Sequence, residues 1–192
     1  MTSLSEAGPT GQQVSDLVGA IHATRHRCCL AVSGVGTQAI AWLFAEPGTS
    51  RTVLDAQVPY SRAALDEYVG AQADQHVSAE EALKMADAAL RRAQKLATAT
   101  GLDPATPLIG IGCTAAIATD RARKGHNRVH VAWSSGGRQK AYSLTFIKGA
   151  RDRRGEEHQG SLIILNAIAE ASGLPGRLAL DLFTGEAVIE SA

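Results

Sequence analysis

Hydroxyl side chains follow three short apolar segments of this chain. Ser33, Tyr60 and Thr114 each stand where such a segment ends. Short continuous apolar runs are typical of strands that are covered on both faces of a sheet. In open α/β sheets, ligands bind at the carboxyl ends of the strands. We therefore expect Ser33, Tyr60 and Thr114 to lie in one site, where a hydroxyl group acts as a nucleophile or as a hydrogen-bonding group.

A glycine-rich turn follows Ser33 directly. Gly34 and Gly36 allow the backbone to turn sharply, and Val35 and Thr37 complete a turn that opens a helix. Free N–H groups and the positive end of the helix dipole at such a turn bind anions, so residues 34–37 are candidate phosphate ligands. A strand–turn–helix also exposes a nucleophilic serine. The alternative is a plain β–turn–α corner in which Ser33 caps the helix.

Composition excludes several classes of protein. The 192 residues carry 19 basic and 19 acidic side chains, so no positive excess favours nucleic acid or a membrane surface. The N-terminal segment lacks the pattern of a secretion signal, and no apolar run could span a bilayer. Cys28, Cys29 and Cys113 lie in apolar runs, which favours buried free thiols and a cytoplasmic protein. We expect no metal, because the histidines and cysteines lack ligand spacing, and no cofactor.

The elements that must position these residues alternate between strands and helices. The pattern predicts a three-layer α/β/α single domain with a mixed sheet. The domain is expected over 12–175, after a flexible tail over 1–11 and before a C-terminal extension over 176–192 that includes an extra strand. The predicted helices are 12–27, 37–45, 61–69, one that begins at residue 78, and 156–171; the predicted strands are 28–32, 52–59, 108–113, 129–133 and 141–147.

The helix that begins at Ser78 has the clearest start signal. Ser78 is followed three residues later by Glu81, which predicts a capping box in which the Glu81 carboxylate reaches back to the cap N–H. Alanines then recur at helical spacing behind this cap. Small residues on one face predict close packing against the sheet.

Several runs occur in the order and spacing of a known family. Residues 32–50 (VSGVGTQAIAWLFAEPGTS) match a family run like ESCTGGLLAARLTDVPGSS, 58–65 (VPYSRAAL) match VAYSNEAK, and 77–86 (VSAEEALKMA) match VSAEVARAMAEGA. Weaker matches follow at 113–118, 127–132 and 149–151. Over about residues 12–172 the chain resembles the C-terminal domain of the competence/damage-inducible CinA proteins. Active members of that family are nicotinamide-nucleotide amidohydrolases.

The resemblance implies a reaction and roles for single residues. In the family, nicotinamide mononucleotide is hydrolysed to nicotinate mononucleotide and ammonia. Carried over to this chain, Ser33 would attack the carboxamide, Tyr60 and Thr114 would supply site hydroxyls, and Arg151 would bind the phosphate. The resemblance also implies a homodimer. A small-molecule nucleotide is the expected ligand.

Departures from the family pattern affect the chemistry. The family lysine of YSNEAK is Leu65 here, the second glycine after the serine is Thr37, and a glycine-rich AGPGG loop is replaced at 116–120. A serine needs a base to take its proton, so we expect weak or absent deamidation with nucleotide binding retained. A non-catalytic nucleotide- or phosphate-binding module is the alternative function. A structural or assembly protein without a ligand is a third.

Overall fold

A computed structural model describes residues 8–121 and 123–192, so most of the predicted tail over 1–11 lies outside the described residues. The helices in these ranges are α1 (Gly11–Ala23), α2 (Thr37–Ala45), α3 (Arg62–Val69), α4 (Ala79–Ala99) and α5 (Arg153–Ala171). The strands are β1 (Arg27–Ser33), β2 (Val53–Gln57), β3 (Leu108–Ala116), β4 (Asn127–Ser135), β5 (Arg138–Phe146) and β6 (Val188–Ser191).

The strands form one mixed sheet in the order β2-β1-β3-β4-β5-β6. β1 runs parallel to β2 and β3, and the remaining neighbours are antiparallel. The larger core lies between one face of the sheet and α1, α2 and α5. Smaller clusters on the other face join the sheet to α3 and α4. The predicted three-layer α/β/α fold with a mixed sheet is therefore confirmed.

Most element boundaries shift by a few residues from the sequence prediction, and two of these shifts have a clear local cause. α1 ends at Ala23 rather than at residue 27, because Thr24 is extended and its hydroxyl caps the carbonyl of Ile21. β3 continues to Ala116, since antiparallel pairing with β4 extends it. The segment after residue 175 docks on the same domain and includes an extra strand, as the sequence predicted: Leu178 is buried in the core and β6 pairs with β5.

The capping box predicted at α4 is only half formed. Ser78 Oγ accepts a hydrogen bond from Glu81 N at 3.1 Å. The Glu81 side chain does not reach back, because it is buried in the protein, where its Oε1 has no hydrogen-bond partner among the described residues. Burial raises the pKa of this carboxyl group. A complete capping box occurs instead at α1, between Thr10 and Gln13.

α4 lies directly against the backbone of β3. Gly110 and Gly112 face it, and a Cβ atom at either position would overlap the carbonyl oxygen of Ala86 or Ala82. Both alanines are fully buried. Two glycines opposite two alanines therefore set the helix–sheet distance, and they place the start of α4 beside the carboxyl ends of β1 and β3.

Candidate functional site

A cleft of 710 Å³ opens at the carboxyl ends of β1 and β3. Its walls come from the start of α3, the loop over residues 72–77 and Arg128 of β4. Ser33, Tyr60 and Thr114 all line it, so the structure brings together the three hydroxyls that the sequence assigned to one site. Their catalytic role stays a prediction. The volume is in the range of small-molecule binding pockets.

Two of the three hydroxyls lie deep and one lies at the rim. Ser33 and Thr114 are register partners across the parallel pair β1–β3, and both are buried. Thr114 Oγ1 donates a hydrogen bond to the carbonyl oxygen of His76 at 2.5 Å, whereas no side chain of the described residues binds Ser33 Oγ. Tyr60 is 68% exposed. Ser33 is thus the deep hydroxyl that is left available to a ligand.

The turn after Ser33 requires its glycines. Gly34 has φ +85°, and a Cβ there would overlap the carbonyl oxygen of Ala115. Gly36 has φ +111°, and its Cβ would lie 2.5 Å from Ile164 Cδ1. Val35 is buried in the core. Of residues 34–37, Gly34 alone is among the residues that line the cleft.

The first turn of α2 is occupied by a carboxylate of the protein itself. Gly36 N donates to both oxygens of Glu157 at 3.1 Å, and Gln38 N and the Thr37 hydroxyl donate to Oε1 at 3.0 Å. Gly36 and Thr37 are among the residues that the sequence assigned to a ligand phosphate. Glu157 of α5 satisfies these donors in this structure, because α2 has no side-chain cap of its own. A ligand anion in the cleft must therefore be bound elsewhere.

Arg151 does not lie in the cleft. Its guanidinium binds the buried carboxylate of Glu186 at 2.7 Å and lies 4.2 Å from the ring centre of Phe183. Burial alone would raise the pKa of Glu186, but hydrogen bonds from Arg151 and two backbone amides hold it below its ordinary value. Arg151 lines a separate pocket of 310 Å³. This arrangement ties the C-terminal segment to the start of α5.

The cleft contains charged residues that the sequence analysis missed. His76 Nε2 and Asp66 Oδ1 are 2.8 Å apart, and Asp66 Oδ1 also accepts from Ala73 N at 3.2 Å. Arg128 donates through Nε and Nη2 to the carbonyl of Val77, and the exposed Arg62 also lines the cleft. The sequence signal was small: His76 stands two residues before the α4 cap, and no spacing links it to Asp66.

Leu65 occupies the position that the resemblance assigns to the family lysine. It lines the cleft, as that resemblance implies, yet it is only 3% exposed. It packs against Ala31 and Met85. This wall of the cleft is therefore apolar where a lysine would bring an amine.

The site lies at the carboxyl ends of parallel strands, as in other ligand-binding α/β domains. No protein-family model and no curated protein matches the chain. Solved structures do resemble it. A CinA superfamily protein from Escherichia coli has 18% sequence identity and a TM-score of 0.64, with 89% of this chain and 98% of that chain covered.

Two further structures give the same result. The competence/damage inducible protein CihA from Agrobacterium tumefaciens has 18% identity and a TM-score of 0.63, covering 86% of this chain and 98% of that chain. The competence damage-inducible protein A (ComA) from Klebsiella pneumoniae has 19% identity and a TM-score of 0.55, covering 83% and 94%. The chain therefore has the fold of CinA superfamily proteins over most of its length, and the predicted resemblance is confirmed at the level of the fold.

None of the helices in the described part of the chain combines the length and apolar character needed to cross a membrane. The same residues contain no cluster of three or more His, Cys, Asp or Glu side chains that could hold a metal ion.

Proposed function

We propose that the cleft binds a nucleotide of the nicotinamide mononucleotide type and hydrolyses its carboxamide, with Ser33 as the nucleophile. The observation that carries this proposal is the meeting of Ser33, Tyr60 and Thr114 in one cleft with two arginines. The resemblance to the family of nicotinamide-nucleotide amidohydrolases, which the solved structures bear out at the level of the fold, supports the same reaction class.

The reaction would run through a covalent intermediate. Ser33 Oγ loses its proton to a base and attacks the carboxamide carbon, and the C–N bond breaks as the nitrogen takes a proton and leaves as ammonia. Water then cleaves the acyl–Ser33 ester and restores the hydroxyl group. Ser33 suits this role because it lines the cleft and its hydroxyl has no side-chain partner in the described structure.

The other two hydroxyls have different parts in this scheme. Thr114 has one hydroxyl proton, and the bond to the His76 carbonyl uses it. Thr114 can therefore accept a hydrogen bond from the substrate but cannot donate one while that bond persists. The exposed Tyr60 hydroxyl has no hydrogen-bond partner among the described residues and can donate, so it is the better candidate to bind the oxyanion that develops on the substrate.

The phosphate would be bound by arginines rather than by the turn. Glu157 fills the first turn of α2, which leaves Arg62 and Arg128 as the cations of the cleft. Arg128 Nη1 makes no hydrogen bond within residues 8–121 and 123–192, so it can donate to a phosphate oxygen. Hydrogen bonds between charged groups are about twice as strong as neutral ones.

A binding module without turnover is the second candidate function. The observation that favours it is the apolar environment of Leu65, which provides no amine to take the Ser33 proton. A missing general base typically costs on the order of a hundred- to ten-thousand-fold in rate.

Ammonia release and thermal shift separate these two functions. The sequence alone predicted weak or absent deamidation, but the cleft assembled around Ser33 changes this expectation. We expect purified protein to release ammonia from nicotinamide mononucleotide, S33A to release none, and the nucleotide to raise the unfolding midpoint of both proteins. L65K tests the position of the lost lysine, with L65M as a matched control that keeps the volume. A thermal shift without ammonia from the wild type or L65K would reject the hydrolase in favour of the binding module.

A further inference from the structure

We propose that His76, oriented by Asp66, is the general base that activates Ser33. This inference rests on the proposed amide hydrolysis, since it names the group that takes the nucleophile's proton. It assigns to this chain a base that does not depend on a lysine at position 65.

The hydrogen-bond network holds the His76 backbone against the strand that neighbours Ser33. Ser33 and Thr114 are adjacent across the β1–β3 pair, and Thr114 Oγ1 binds the main-chain carbonyl of His76 at 2.5 Å. His76 and Ser33 both line the cleft. The loop over residues 72–77 is thereby fixed to the strand next to Ser33, and His76 is held at the site by its own backbone.

Asp66 determines which imidazole nitrogen can act. The carboxylate oxygen Oδ1 is 2.8 Å from Nε2 of His76, and a carboxylate can only accept there. The neutral ring therefore carries its proton on Nε2, and Nδ1 presents a lone pair. Among the described residues Nδ1 has no hydrogen-bond partner. Asp66 is itself positioned by the amide of Ala73 at 3.2 Å.

Every proton that moves in this scheme has a named donor and a named acceptor. The proton of Ser33 Oγ moves to Nδ1 of His76 as the oxygen attacks, and the imidazolium that forms is stabilised by Asp66. The same proton then moves to the departing nitrogen. A base that is oriented by a third group is the general pattern of activated nucleophiles. Asp66 acts through His76 and is a positioning residue.

Charges around His76 come from every element that packs near it. α3 supplies Asp66 and Arg62, the loop supplies Asp74, and β4 supplies Arg128. α4 supplies Glu81 and Lys84. Lys84 is paired with Glu80 at 2.7 Å, so its charge is compensated. The three acidic groups oppose the two arginines, and the direct bond from Asp66 makes the nearest charge negative.

Labelling of Ser33 by a fluorophosphonate tests the base without requiring amide turnover. We expect the wild type to be labelled, S33A not to be labelled, and H76Q to be labelled on the order of a hundred- to ten-thousand-fold more slowly. The acid limb of the wild-type pH profile should disappear in H76Q. H126Q, an exposed histidine outside the cleft, is the matched control and should react like the wild type.

Two more variants separate catalysis from structure. In H76A, added imidazole should restore part of the labelling rate, which a purely structural role would not allow. D66N should slow labelling, because the ring loses its oriented tautomer, and shift the acid limb, because the ring loses the negative charge beside it. An unlabelled wild type, an unchanged H76Q rate, or an acid limb that persists in H76Q would each overturn the inference. Fast labelling that depends on His76, in a protein that releases no ammonia, would reject the amide hydrolysis alone.

Discussion

Removing the Glu157 carboxylate should destabilise the protein and create an anion site. In E157A the backbone N–H groups of Gly36 and Gln38 lose their acceptor, and so does the Thr37 hydroxyl. Loss of an N-terminal cap typically costs about 0.5–2 kcal/mol, and loss of a carboxylate near a helix N-terminus a further ~0.3–1 kcal/mol. We expect E157A to lose about 2 kcal/mol in the free energy of unfolding.

Calorimetry can detect this loss of unfolding free energy as a lower unfolding midpoint. For a chain of this size, 1 kcal/mol corresponds to roughly 2–4 °C, so the midpoint of E157A should fall by about 4–8 °C. E157Q keeps one acceptor oxygen without the charge, so its unfolding midpoint should lie between those of the wild type and E157A. E67A is the matched control, because Glu67 is exposed and has no hydrogen bond to another part of the described chain.

Inorganic phosphate then tests whether the emptied turn binds anions. Phosphate should raise the midpoint of E157A more than that of the wild type, because an anion that binds only the folded state stabilises it. Chloride at equal ionic strength controls for screening. Equal phosphate effects on E157A and wild type, or an E157A midpoint within 1 °C of E67A, would refute the reasoning about this turn.

Two other changes probe the neighbourhood of the cleft. G34A should lower the free energy of unfolding by on the order of 1–3 kcal/mol, because φ is +85° and the new Cβ meets the Ala115 carbonyl. G70A is the control, since φ is also positive there but the Cβ meets nothing. Equal denaturant midpoints for the two variants would contradict this prediction. His130 lies beside Thr114 in β4 and is bonded to Ser143 at 2.8 Å; burial, aided by Arg128, lowers its pKa from 6.5 to about 4. The unfolded chain therefore binds this proton at a higher pH than the folded protein does, so stability should fall as the pH drops from 6.5 towards 4. The loss should be well under the ~3 kcal/mol that the full pKa shift corresponds to, because solvent screens the partly exposed ring. Urea unfolding at pH 7 and pH 5 should show a smaller difference in H130Q than in wild type, and an unchanged difference would count against this assignment.

Local patterns account for what the sequence predicted well. The apolar runs around Cys28 and Ile111 form the central parallel strands β1 and β3, because side chains without polar groups can be buried on both faces of the sheet. The turn at Gly34 and Gly36 and the start of α2 at Thr37 could be predicted because glycine permits the backbone conformation that such a turn needs. These features depend on neighbours in sequence, so one chain is enough to find them.

Distant contacts account for what it missed. Glu157 caps α2 from another helix, and Asp66 meets His76 only because the loop before α4 folds back over α3. Glu81 was expected to cap its own helix and is instead buried beside the cleft. Arg151 was assigned to phosphate, but Glu186 holds it in the described structure. The homodimer stays a prediction.

The contact of α4 with Gly110 and Gly112 limits how this protein can be redesigned. Any side chain at either position must push the helix away from the sheet, since backbone atoms occupy the space. The displaced helix would carry with it the loop that bears His76. A mutagenesis library aimed at the cleft should therefore hold residues 110 and 112 constant. Loss of activity in variants at these two sites would indicate that one side of the cleft has moved, and not that a catalytic group is missing.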